Sequence, residues 1–125
     1  MSTIDRAKLD LFILNLDVKR AELRGLADAI ADRRSVLDAE LLGLINGANG
    51  RVLDSLWDRR DVRDLARLSA ADLDQARIDR AGLAVALRDR DRLDQFRQRH
   101  DALAAEIAPL ATLVARLTAY AEAHA

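Results

Sequence analysis

The sequence predicts an all-α protein: an elongated helical hairpin that leads into a long C-terminal helix with coiled-coil-like packing. Half of the 125 residues are hydrophobic but only 3% are aromatic, a composition that suits helix-on-helix contacts better than a thick core. Apolar residues also recur every seventh position in the first third of the chain. In the last third they alternate at spacings of three and four, the pattern by which helices pack along one another.

The first helix is predicted over residues 1–46. One apolar column persists at seven-residue spacing along it, formed by Leu9, Leu16, Leu23, Ile30, Leu37 and Leu44. The apolar surface is broad at both ends of this helix, through 11–14 and 41–45, so each end should contact more than one neighbour. The segment 47–50 is predicted as a turn, because its Gly and Asn residues tolerate the left-handed backbone that a reversal requires.

A second helix is predicted over 51–68, with Val52, Leu53, Leu56 and Trp57 on its apolar face. Ser69 is suited to cap a third helix, which is predicted over 69–125. A strict heptad pattern begins within it at residue 93. We call this pattern the C-terminal seam; it comprises Leu93, Phe96, His100, Leu103, Ile107, Leu110, Val114, Leu117 and Ala121.

The C-terminal seam lacks a predicted partner within the chain. At 1.5 Å per residue the three helices would be about 65, 25 and 80 Å long, so roughly the last 30 residues would outrun the first helix. The partner would then be external, either a second copy of the chain or the helix of another protein. The alternative is a reversal at 88–92 or at Pro109, which would fold the chain into a four-helix bundle.

His100 and Trp57 each have two possible roles. His100 occupies an a position of the C-terminal seam, where it either sets the register as a polar residue or acts as a proton- or metal-sensitive switch in an oligomer. Trp57 is the sole tryptophan. It either fills the core of the hairpin or serves as an anchor for a partner protein.

The composition and the absence of catalytic motifs argue against enzymatic activity. The chain has no cysteine, 20 basic and 21 acidic residues, and neither a phosphate-binding glycine loop nor a nucleophile elbow. We therefore expect no catalytic site, metal or cofactor. The Arg-rich stretch 88–99 could follow a phosphate backbone, but acidic residues alternate with its arginines, so nucleic-acid binding is not favoured.

The sequence thus favours a non-enzymatic structural or assembly protein that self-associates through helices, such as a component of a phage virion or of another macromolecular assembly. A helical adaptor or chaperone that binds a partner helix is the alternative, and a nucleic-acid-associated helical protein is the second alternative. The start of the chain lacks the pattern of a signal peptide, and no apolar run approaches the length of a membrane span. These features predict a cytoplasmic location, or one within a virion or assembly.

Overall fold

A computed structural model describes residues Thr3–Asp58 and Asp61–His124. Within these ranges the secondary structure is helical, without a strand, which confirms the all-α prediction. Residues 1–2, 59–60 and 125 belong to the predicted helices but lie outside the described residues. The five helices are α1 (Thr3–Gly47), α2 (Gly50–Leu56), α3 (Val62–Leu65), α4 (Ala70–Gln75) and α5 (Arg80–Ala123).

The two long helices, of 45 and 44 residues, contribute to two compact units. One unit, here the terminal unit, contains residues 1–29 and 96–125. The other, the central unit, contains residues 30–95. In each unit a segment of α1 packs antiparallel against a segment of α5, which is the arrangement of a helical hairpin.

The core of the terminal unit is a helix–helix contact. Leu16 on α1 is buried together with Leu103 and Ile107 on α5. Partly buried side chains surround these three; they are Leu23, Leu26, Leu110, Ala111 and Val114. Beside them, the Lys19 Nζ lies 3.0 Å from the Glu106 Oε2 in an ion pair that links the same two helices.

The central unit has the larger core because three short helices add to the α1–α5 contact. Its buried residues are Leu37, Leu44, Leu53, Trp57, Val62, Leu65, Leu73, Ala76, Ile78, Leu83, Ala86 and Leu93. The heptad column of α1 thus contributes Leu37 and Leu44 here, just as it contributes Leu16 in the terminal unit. The predicted column is therefore the contact face of α1 in both units.

The segment predicted as a single helix over 51–68 is divided. Helix α2 ends at Leu56, and Trp57 has an extended backbone (φ −140°, ψ 129°). Asp61 then caps α3, because its carboxylate accepts the amide of Arg63 at 3.2 Å. Side-chain caps of this kind satisfy amides that have no partner inside a helix, so they let a short helix begin.

The predicted third helix also begins differently. Ser69 accepts the amide of Asp72 at 3.1 Å, as expected for its capping role, but the helix that it starts, α4, ends at Gln75. Arg77 follows in the left-handed conformation (φ 56°). The reversal that precedes α5 therefore lies between α4 and Arg80, and α5 continues through both 88–92 and Pro109.

This reversal corrects the length argument. Because α5 begins at Arg80 and nearly equals α1 in length, the C-terminal part of α5 lies in the same compact unit as the N-terminal part of α1. The expectation that the C-terminal seam has no partner within the chain is therefore wrong, and so are the two alternative reversal points.

Candidate interaction surfaces

The C-terminal seam is divided between the two units. Leu93 is buried in the core of the central unit. Leu103 and Ile107 are buried against Leu16 in the terminal unit, and Leu110 and Val114 pack on that cluster. Phe96 and Leu117 are half-buried, and Ala121 is buried. Most of the seam is thus engaged with α1 and is not a free surface.

His100 is a half-buried member of the seam. Its Nδ1 lies 3.3 Å from the Oδ1 of Asp101, the next residue on α5. Asp101 itself is exposed. Among the described residues, no group of three or more His, Cys, Asp or Glu side chains is arranged to hold a metal ion.

Trp57 belongs to the core of the central unit. Its side chain is 5% exposed, and its indole Nε1 donates a hydrogen bond to the backbone oxygen of Asp61 at 2.9 Å. An anchor for a partner protein needs an exposed ring. Trp57 offers none in this structure, and its position is that of a residue that fills the core between α2 and α3.

The acidic and basic residues around α3 form an ion-pair network within the central unit. Arg90 on α5 contacts Asp61 at 3.2 Å and also contacts Asp94. Arg63 on α3 contacts Asp91 at 3.1 Å and also contacts Asp94. Burial tends to raise the pKa values of Asp61 and Asp94, but hydrogen bonds and the charges of the two arginines outweigh it and hold both below the usual range. Arg90 is therefore committed to carboxylates, which leaves it poorly placed to follow phosphates.

A second polar feature joins α1 and α5 in the central unit. Glu40 on α1 and the buried Asp89 on α5 bring two carboxyl groups together. Burial, hydrogen bonding of the protonated Glu40 to Asp89 and repulsion from Asp89 raise the pKa of Glu40 to about 7. The Oε2 of Glu40 is buried and has no hydrogen-bond partner. This pair is a pH-sensitive contact between the two long helices.

An open apolar surface of the terminal unit lies on α1. Leu11, Leu14 and Val18 are 65%, 58% and 57% exposed. At 100° per residue they fall on one face, about 170° around the helix from the column of Leu9, Leu16 and Leu23 that faces the interior of the fold. Ala7, Ala21 and Gly25 extend the same line and are also exposed. We call these six residues the outer face of α1.

The signal for this face is present in the sequence. Positions 7, 11, 14, 18, 21 and 25 alternate at spacings of four and three, as a helix-packing face requires. Because 11–14 is apolar without interruption, the sequence showed a broad apolar end without separating it into two faces. The structure separates them, since Leu16 is buried while Leu11, Leu14 and Val18 are not.

Helix α5 contains a long apolar stretch. By length and composition alone it is apolar enough to cross a bilayer, the one such helix among the described residues. This finding differs from the expectation, drawn from the sequence, that no apolar run approaches the length of a membrane span. Only 6% of this apolar stretch is buried, although Leu103 and Ile107 of α5 pack on α1.

No family model, no curated protein and no solved structure matches the chain.

Proposed function

We propose that this chain is a non-enzymatic structural or assembly protein that acts through helix–helix self-association, as a part of a phage virion or of another macromolecular assembly. The observation that supports this proposal is the outer face of α1. Three large apolar side chains lie on it with more than half of their surface exposed, and they belong to a helix whose opposite face is already buried in the fold.

Single exposed leucines are ordinary on protein surfaces. The outer face differs because its members share one line along the helix, and because the residues that flank the three large ones on this line are Ala or Gly. Small residues allow a second helix to approach closely, so the stripe has the shape of a helix-docking surface. A Cβ added at Gly25 would have no atom within 4 Å, so packing within the chain does not require this small residue.

The alternatives predict different partners for the same surface. A helical adaptor or chaperone would use the outer face for the helix of another protein. A nucleic-acid-associated protein would instead use a basic surface, yet the net charge is −1 and Arg63 and Arg90 are paired with carboxylates. Self-association is favoured because the charges that flank the outer face, Lys8 with Glu22 and Asp10 with Arg24, complement one another when two copies run antiparallel.

The test is the mass of the full chain in solution. Light scattering coupled to size-exclusion chromatography, from micromolar to near-millimolar concentrations, should show the 13.8 kDa monomer converting to a species of defined higher mass. A monomer throughout this range would contradict self-association. Binding to DNA or RNA that weakens with salt would instead favour the nucleic-acid alternative.

A further inference from the structure

The outer face of α1 carries charges on both of its edges. Lys8, Asn15 and Glu22 follow one edge at seven-residue spacing, and Asp10, Asp17 and Arg24 follow the other. All six are exposed. In heptad terms, Leu11 and Val18 occupy a positions and Leu14 and Ala21 occupy d positions. The two edges are then the e and g positions, whose charges select the partner and its direction.

We propose that the outer face binds the same face of a second copy in an antiparallel α1–α1 contact, with Leu14 of each copy opposite Val18 of the other. This inference rests on the proposed self-association and specifies its surface, direction and register. In this register Leu11 lies opposite Ala21 of the second copy, and Ala7 lies opposite Gly25. A large residue thus faces a small one in the Leu11–Ala21 layers and two small residues meet in the outermost layers, which allows two helices to pack closely.

The edge charges support this register. When two helices run antiparallel, e positions pair with e positions and g with g. Lys8 then meets Glu22 of the second copy, and Asp10 meets Arg24 of the second copy. The two-fold symmetry repeats each pair. The one unfavourable pairing is Asp17 with Asp17 of the second copy, near the symmetry axis.

Other arrangements are poorer. A parallel, in-register pair would bring Asp17 toward Glu22 of the second copy, which repels. An antiparallel shift of one heptad in one direction places Asp10 beside Asp17 of the second copy. The opposite shift places Leu11 against Asp28 of the second copy, so an apolar residue meets a charge. The register centred between Leu14 and Val18 is the one that matches both apolar size and charge.

The surface of this contact is tested with Leu14→Lys in the full chain. Sedimentation equilibrium should show that Leu14→Lys weakens dimerisation at least about tenfold, because it places two charges in the contact. The matched control is Leu42→Lys: Leu42 lies on the same helix and is 59% exposed, but it is outside the outer face. Circular dichroism should show that both variants retain the helix content of the parent chain.

The register is tested with charges. Lys8→Glu should weaken the dimer, and adding Glu22→Lys in the same chain should restore it. Asp17→Asn should strengthen the dimer about two- to fivefold by removing the repulsion at the axis. A tighter dimer of defined mass with unchanged helix content is not an effect of destabilisation, so this variant separates the proposal from loss of folding.

The antiparallel direction of the two helices is tested by cross-linking. Because the sequence contains no cysteine, an introduced cysteine is the only thiol that can react. A short bis-maleimide should join Lys8→Cys chains to Glu22→Cys chains in a mixture, and should join neither variant efficiently to itself. Efficient cross-linking of each variant to itself would show a parallel contact and overturn the proposal.

Failure of the α1–α1 contact and failure of self-association give different experimental results. If Leu14→Lys dimerises as tightly as the parent chain, the α1–α1 contact is overturned while self-association remains. A parent chain that stays monomeric at every concentration would overturn both.

Discussion

The backbone amide of Ile78 donates to the carbonyl oxygen of Leu73 at 3.0 Å, and the left-handed Arg77 lies between them. The amide of Arg77 in turn donates to Asp74 at 3.1 Å. These two bonds, with Leu73 and Ile78 both buried, form a Schellman motif that ends α4. The motif usually has glycine at the left-handed position, because a side chain there costs about 1 kcal/mol.

Arg77→Gly should therefore stabilise the protein by about 0.5 to 1 kcal/mol, since the strain at Arg77 disappears while both hydrogen bonds remain. Thermal unfolding followed by circular dichroism measures the gain as a higher midpoint. The control is Arg77→Ala, which removes the same charge but retains a Cβ at φ 56°. If Ala stabilised as much as Gly, the loss of charge rather than backbone strain would explain the effect.

Arg77 also shows why the sequence could not predict the path of the chain. The seven-residue column of α1 and the cap at Ser69 are local patterns, and both are found in the structure. A left-handed arginine has no such pattern, because glycine is the residue that signals this conformation. The reversal before α5 therefore went unpredicted, and the length argument built on an uninterrupted helix assigned the C-terminal seam to an external partner.

Prediction of the interaction surface from the sequence failed for a similar reason. Periodicity identifies an apolar face but does not say which of two faces on one helix the chain itself covers. On α1, the column containing Leu16 is covered and the line through Leu14 is not. Only the position of α5 distinguishes them. Trp57 is a similar case, since its burial depends on α3, a four-residue helix that no sequence pattern indicated.

The Glu40–Asp89 contact should make stability fall between about pH 4.5 and about pH 7. The pKa of Glu40 is raised from 4.5 to about 7 in the folded state, so folding favours the protonated form. Its contribution is complete below the unfolded-state pKa and is lost as the pH rises through the folded-state value. Urea unfolding across this range measures the decline.

Glu40→Gln should remove this decline, because an amide donates to Asp89 at every pH without ionising. The variant should be more stable than the parent at about pH 8 and similar to it at about pH 5. Asp38→Asn is the matched control, since it removes an exposed carboxylate from the same helix. An equal gain from Asp38→Asn would point to the net charge of the chain instead of the buried pair.

The network around Arg90 should act in the opposite direction and at lower pH. The pKa values of Asp61 and Asp94 are lowered from 3.8 in the folded state. Their contribution is therefore present above that value and is lost as the pH falls through the lower, folded-state values. Arg90→Met, which retains an apolar stem, should cost about 1 to 2 kcal/mol at neutral pH.

The difference between Arg90→Met and the parent should shrink in acid, as the two carboxyl groups become protonated. Arg88→Met changes an exposed arginine on the same helix and should cost much less. A cost for Arg90→Met that stayed constant down to the acid transition would show that Arg90 contributes packing alone.

Trp57 should report on the central unit by fluorescence. Because its side chain is 5% exposed and its indole N–H is hydrogen-bonded inside the protein, the emission of the native chain should be blue-shifted and poorly quenched by acrylamide. Unfolding should shift it to the red. A red, readily quenched emission in the native chain would instead revive the interpretation of Trp57 as an exposed anchor.

The C-terminal seam should behave as part of the core of the terminal unit. Leu103→Ala should destabilise the chain by about 2 to 3 kcal/mol, since it opens space in the buried cluster with Leu16 and Ile107. Leu113→Ala is the control: Leu113 lies on the same helix but is 39% exposed, so its truncation should cost less than about 1 kcal/mol.

Protein concentration distinguishes the two interpretations of the seam. If the seam packs on α1 of the same chain, the loss caused by Leu103→Ala is the same at every protein concentration, because a contact within one chain has no mass-action term. If the seam bound a second copy, the loss would grow as the chain is concentrated and the parent associates. Urea unfolding at two concentrations a hundredfold apart is sufficient to separate these outcomes.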